Sequence, residues 1–133
     1  MNAGDVLEQK TFTVTRADLV AYADASGDHN PIHQDEAVAR SVGLPGVIAH
    51  GMYTLALVGR AVAEWTDGAE VVDLGAKFTS PVVVPAEGGA EVLVGGTVKS
   101  VADGLATLAL EVTCEGQKVL GMPRAVVKHS DGA

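Results

Sequence analysis

The chain opens on strict alternation. In KTFTVT, Phe12 and Val14 fall on one face, the period of a half-buried strand. The spacing then changes. Thr15 and Asp18 occupy the N-cap and N3 positions of a helix start, Leu19, Val20, Tyr22 and Ala23 give that helix an apolar side, and Gly27 ends it. A short helix follows in DEAVARSVG, with Asp35 as its cap and Gly43 as its stop, glycine being the usual residue just past a helix end. LPGVIAHG, with Pro45 and Gly46, reads as a loop.

The most informative segment runs over about residues 52–65, where Met52, Leu55, Ala56, Val58, Ala61, Val62, Ala63 and Trp65 leave hardly any polar face. A helix apolar nearly all round is buried on most sides. Its small residues, Ala56, Gly59, Ala61 and Ala63, would let a sheet lie close. Everything after it reads as strand. EVVDLGAKFTSPVVV is one long or bent strand with Pro81 and Pro85 near its end, and AEVLVGGTVKSV is a second with a bulge or bend at Gly95 and Gly96. Asp103-Gly104 then makes a hairpin turn. In LATLALEVTC, Leu108, Leu110, Val112 and Cys114 share one side, and Glu115-Gly116 turns into QKVLGMPRAVVK. The sum is an α+β layout, an antiparallel meander behind one buried helix. One helix covers only a strip of such a sheet. We expect the sheet to curl around it and a second copy to pair edge to edge.

Length and composition narrow the function classes. With 133 residues, 47% of them apolar, the chain is one domain with a real core and no linker or repeat. Its net charge of −8 argues against nucleic acid as the main partner. A single cysteine, Cys114, allows neither an internal disulfide nor a cysteine cluster. MNAGDVLEQK lacks the basic and apolar regions of a signal peptide, and the longest apolar run is too short and too charged to span a bilayer. A cytoplasmic protein is therefore expected. The closing HSDGA reads as a tail.

The chemistry concentrates in SGDHNPIH, residues 26–33. A turn accounts for Gly27, Asn30 and Pro31, because Asp28 and Asn30 can bond their own backbone and Pro31 stiffens the corner. It does not require Asp28 together with His33. A metal reading rests on His29 and His33, four apart, with Asp28 or His50 joining them. Pro31 interrupts any helix through the pair, and no familiar ligand spacing results. Cys114 lies on the apolar face of a strand and Ser26 has no nucleophile elbow, so covalent catalysis has no activated nucleophile. Acid–base work fits better. A rigid Asn-Pro corner can aim the Asp28 carboxylate and the His33 imidazole at one water. Gly51, where the buried helix begins, offers a free backbone N–H in the favourable field of the helix dipole. His50-Gly51 also reads as an ordinary helix entry.

These two stretches resemble a known family. YADASGDHNPIH, residues 22–33, is similar to the hydratase 2 motif of the MaoC-like (R)-specific enoyl hydratases and dehydratases, and GLPGVIAHGM, residues 43–52, looks like that family's second block. The likeness covers essentially the whole chain and is nearest to the catalytic subunit of actinobacterial (3R)-hydroxyacyl-carrier-protein dehydratases. The resemblance implies a single hot dog domain over residues 1–133, a curved antiparallel sheet around a long central helix, paired with itself or with a related hot dog subunit. It implies a substrate tunnel near the subunit interface, Asp28 and His33 as the catalytic dyad, Asn30 as its support and the Gly51 amide as the oxyanion donor. The implied activity is hydration of 2-enoyl thioesters and dehydration of (3R)-hydroxyacyl thioesters, on coenzyme A or an acyl carrier protein, with no metal or redox cofactor. A carrier-bound substrate would call for a cationic rim, from Lys77, Lys99 or Arg124 or from the partner. Thioester hydrolysis and a non-catalytic acyl-binding subunit are the competing expectations, since one fold hosts many functions.

Overall fold

The computed structural model describes residues 1–129; the remaining residues of the expected tail, 130–133, lie outside the described residues. The elements follow in the order β1 (Val6–Val14), α1 (Arg16–Ser26), a 3-10 turn (Pro31–His33), α2 (Glu36–Ser41), α3 (Gly51–Thr66), β2 (Val71–Phe78), β3 (Ala90–Ala102), β4 (Leu105–Cys114), β5 (Gln117–Lys118) and β6 (Leu120–Lys128). The strands form one antiparallel sheet in the order β1-β3-β4-β6-β2, with β5 added to β4. Helix α3 lies against β1, β2 and β3 and buries Leu57, Val58, Ala61 and Val62. This is the α+β layout expected of the sequence.

Local signals explain most boundaries. Thr15 and Asp18 form a reciprocal capping box, and Gly27 closes α1 at φ 80°, a left-handed conformation that a side chain disfavours. Asp35 accepts from the Val38 N–H at 3.2 Å and caps α2. Asp103 (φ 56°) and Gly104 (φ 75°) make the β3–β4 turn, the paired positive φ of a type I′ hairpin. β4 alternates between buried and accessible positions along its length.

Three expectations need correction. The strand that begins at Val71 stops at Phe78, because Pro81 and Pro85 flank a stretch that cannot donate continuously to a ladder. There Val83 makes only a single bridge to Ile48. The irregularity at Gly95 and Gly96 puts its extra residue on β1, between Leu7 and Lys10. Gly96 is needed where it is: a Cβ there would stand 2.2 Å from the Ala109 carbonyl oxygen. QKVLGMPRAVVK divides into β5 and β6, with Met122 at φ 48° just before Pro123 and a register shift against β2 between Gly75 and Lys77.

Burial of α3 is also less complete than its composition implies. Ala56 and Ala63 are exposed, as is Met52, at 57%. At one edge of the sheet, β2 has β6 as its sheet neighbour among the described residues and leaves Val71, Val72 and Phe78 exposed. Cys114 is buried, and burial pushes its thiol pKa up, with Glu115 adding to the effect. That is the signature of an inert structural thiol.

Candidate active site

The corner after α1 is a relay of short-range bonds. The Asp28 N–H donates to Ser26 Oγ, the Asn30 N–H to Asp28 Oδ1, and the Ile32 N–H to Asn30 Oδ1, each at 3.2 Å. Pro31 then opens the 3-10 turn that carries His33. The turn anticipated from residue types is therefore present in full. It also fixes one oxygen of the Asp28 carboxylate and leaves the other without a bond among the described residues. The Asn30 side chain builds the turn under His33, while its backbone N–H is what holds the Asp28 carboxylate.

The second block, leading into α3, is tied to this corner. The Ile48 N–H donates to the Ile32 carbonyl at 3.2 Å. His33 Nδ1 stands 2.7 Å from the Ile48 carbonyl oxygen, and His50 Nε2 stands 3.1 Å from the Asp28 carbonyl oxygen. A carbonyl only accepts, so the proton sits on Nδ1 of His33 and on Nε2 of His50. His33 Nε2 and His50 Nδ1 then carry the lone pairs. The two rings stack with centroids 3.8 Å apart and planes 21° apart, and Tyr22 meets His50 edge-on at 4.7 Å.

One carboxylate oxygen of Asp28 and one ring nitrogen each of His33 and His50 lie within 4.8 Å of one another. A single water making hydrogen bonds of about 2.8 Å spans such a separation. A metal ion fits the trio poorly. Imidazole lone pairs lie in the ring plane, and rings this close to parallel direct them side by side, whereas a metal needs them to converge.

Asp28, His50 and Gly51 line a cavity of about 630 Å³, together with Tyr22, Thr54 and Phe78. His33, 7% exposed, is not on that wall and lies against the His50 ring. Gly51 begins α3, and neither its N–H nor that of Met52 has a partner among the described residues. The expectation that Gly51 leaves room for a ligand meets a further occupant: a Cβ there would stand 2.9 Å from Phe78 Cε1. None of Lys77, Lys99 and Arg124 lines the cavity, and Arg124 pairs with Asp73 at 3.2 Å.

The structure brings the expected Asp28, Asn30 and His33 together at one corner and sets Gly51 on the cavity wall beside it, whereas the ring stack and Phe78 were not expected from the sequence. His50 was legible only as a weak ligand or a helix entry. Its signal was the His-Gly step at the mouth of an apolar helix. Phe78 had no such signal, beyond being one of two phenylalanines in the chain.

A curved antiparallel sheet holding one long helix, with this corner at the start of the helix, defines a hot dog domain. The family model described as MaoC like domain matches residues 2–116, and the chain belongs to that family. It is 42% identical over 77 residues to the 3-hydroxyacyl-thioester dehydratase X of Mycobacterium tuberculosis, an alignment covering 57% of this chain and 26% of that protein. The chain thus spans about a quarter of that relative's length. Among solved structures, a MaoC-like dehydratase superposes with a TM-score of 0.93 at 35% identity, over 98% of this chain and 41% of that one. The (R)-hydratase from A. caviae involved in PHA biosynthesis superposes at 0.84 with 26% identity, over 98% of both chains. No helix among the described residues is long and apolar enough to cross a membrane.

Proposed function

We propose that the chain is an (R)-specific hydro-lyase that adds water to 2-enoyl thioesters and removes it from (3R)-hydroxyacyl thioesters in fatty acid metabolism. The observation that carries this reading is the grouping of an Asp28 carboxylate oxygen with a ring nitrogen each of His33 and His50 within 4.8 Å, beside a cavity lined by Asp28, His50 and Gly51, whose N–H is unbonded among the described residues. Relatives named as dehydratase and (R)-hydratase support it.

Asp28 and His33 hold the water between them. The water oxygen bonds to C3, and the C2=C3 electron pair moves toward the thioester carbonyl as an enolate. The Gly51 N–H stabilises the developing oxyanion, aided by the α3 dipole. C2 then takes a proton from the dyad, which has received one from the water. The reverse sequence dehydrates the 3-hydroxyacyl thioester, and neither direction needs an oxidant or a reductant. The roles of Asp28, His33, Asn30 and Gly51 are part of this proposal.

The uncovered β2 edge, with Val71, Val72 and Phe78 exposed, supports pairing with a second hot dog subunit, either this chain again or a related one. Phe78 lies on both that edge and the cavity wall, so the partner would close the substrate tunnel.

The test follows the enoyl absorbance of a short 2-enoyl-CoA mixed with purified protein. Wild type should consume it, and Asp28→Asn should be about 10²–10⁴-fold slower, the usual worth of a positioned acid–base group, with its circular dichroism unchanged. Asparagine keeps the acceptor for the Asn30 N–H, so the turn survives. An unaffected rate in Asp28→Asn would remove that residue from the mechanism. Release of free thiol would point to thioester hydrolysis instead, and turnover carried wholly by a purified partner would point to an acyl-binding subunit.

A further inference from the structure

Helix α3 has no structural need of histidine at its N-cap. Ser, Thr, Asp and Asn cap best because a short side-chain oxygen reaches back to the first N–H groups. The His50 side chain makes no cap bond. It is 2% exposed, and its Nδ1 is buried without a partner, which destabilises the fold relative to a satisfied group. Something else explains the ring.

What the ring does contact is the dyad. Its Nε2–H donates to the backbone carbonyl of Asp28, and its face lies on His33. The bond has a counterpart, because His33 donates from Nδ1 to the Ile48 carbonyl. Each block therefore sends an imidazole to the backbone of the other, and the two imidazoles stack where they cross. Tyr22 closes the outer edge of the stack against His50. His50 thus touches both residues, the Asp28 backbone through a hydrogen bond and the His33 ring through the stack.

We propose that His50 is a positioning residue: through the crossed pair of imidazole–carbonyl bonds and the ring stack it holds Asp28 and His33 at the spacing of one bridging water. This inference rests on the reading of Asp28 and His33 as the dyad. It goes beyond that reading by assigning a role to a cavity-lining residue outside the dyad.

The role predicts a distinct kinetic pattern. A residue that only orients the dyad changes the rate of the chemical step and leaves substrate binding alone. It also has nothing to orient once the dyad is disabled, so its loss should not add to the loss of Asp28. Glutamine can place an N–H near the position of Nε2, whereas phenylalanine keeps a ring for the stack but has no donor.

The experiment measures kcat and KM with a short 2-enoyl-CoA for the full-length protein and for His50→Phe, His50→Gln, Asp28→Asn and Asp28→Asn/His50→Phe. His50→Phe should lower kcat about 10–100-fold with KM within about twofold, the scale of a small misplacement of a reacting group. His50→Gln should recover about half of that loss on a logarithmic scale, and the double variant should fall within about twofold of Asp28→Asn. Wild-type kcat in His50→Phe beside a slow Asp28→Asn would overturn the inference and leave the dyad standing. So would a His50→Phe effect of equal size in the Asp28→Asn background. Should His50→Phe fail to fold, His50→Gln carries the test: a drop in kcat at fixed KM supports the inference, and a drop in melting temperature with unchanged kcat overturns it. Wild-type rate in Asp28→Asn would take down the dyad reading and this inference together.

Discussion

The β3–β4 hairpin and the corner at residues 26–33 meet the same requirement, turning the chain while satisfying its backbone, in opposite ways. The hairpin pairs from Val92 and Cys114 to Ala102 and Leu105 through backbone bonds, with one register shift between Val98 and Ser100. Its inward side chains, among them Val94, Val98, Leu108 and Val112, are fully or almost fully buried. The corner uses side chains to satisfy its backbone. It keeps two imidazoles in a buried stack, an orphaned nitrogen and an unbonded N–H nearby. Apart from that shift and the tight Gly96 position, pattern, turn and burial in the hairpin agree with one another, as a stable fold requires. The corner and helix entry break that consistency at His50 and Gly51, and such breaks are expected where a site is built. The difference separates the region built for packing from the region to which we assign the chemistry.

Leu108→Ala tests the hairpin side of the comparison and should have the largest effect on folding. Leu108 is completely buried, and truncating such a residue costs about 2–5 kcal/mol through lost transfer energy and the cavity left behind. Chemical denaturation should show that loss, while kcat of the protein still folded stays near wild type. A fall in kcat matching the fall in stability would mean that the sheet and the corner are not separable.

Gly51→Ala tests the other side. A Cβ there would come within 2.9 Å of the Phe78 ring. Phe78 is 59% exposed and sits on the sheet edge, so the ring can swing away at little cost in stability. The displaced ring and the added methyl group would crowd the seat proposed for the thioester beside the Gly51 N–H. We expect kcat to fall about 10–100-fold, the scale of misplaced reacting atoms, with denaturation nearly unchanged. A large loss of stability with normal kcat would assign Gly51 to packing alone.

What the sequence made legible was what neighbours along the chain decide. The Thr15–Asp18 capping box, the Gly27 stop, the Asp103-Gly104 turn and the Asp28–Asn30–Ile32 relay each involve residues a few positions apart. Asp28, His33 and Gly51 stood out as candidates too, because they fall inside contiguous motifs. What stayed hidden was set by long-range packing. The His50 bond to Asp28 joins residues 22 apart. The contact of Phe78 with Gly51 depends on where β2 ends and how it borders α3. The division between β5 and β6 falls where the chain leaves its pairing with β4 for pairing with β2. Apolar composition also overstated the burial of α3, since pattern alone cannot say that the faces of Ala56 and Ala63 lack a neighbour within one chain.

The smallest expected effect gives the sharpest version of the comparison, because it perturbs the helix that leads into the corner without touching the corner. Thr15 accepts from the Asp18 N–H at 3.2 Å, and the Asp18 carboxylate accepts from the Thr15 N–H at 2.9 Å. Thr15→Ala removes the first bond and should cost about 1 kcal/mol, a shift of roughly 3–5 °C in melting temperature for a domain of this size. Helix α1 has 11 residues, so at about 1.5 Å of rise each the cap lies roughly 16 Å from the helix end that leads to Asp28. The corner has its own ties at that end, through Gly27 to Ala23, through the Asp28–Asn30 relay and through the two imidazoles. If those ties fix the proposed dyad, kcat at a temperature well below the melting point should stay within about twofold of wild type. Thr15→Ser, which keeps the hydroxyl, should restore the melting temperature. A parallel fall of kcat in Thr15→Ala would mean that α1 transmits its fraying to Asp28, and that the corner depends on the helix rather than on its own bonds.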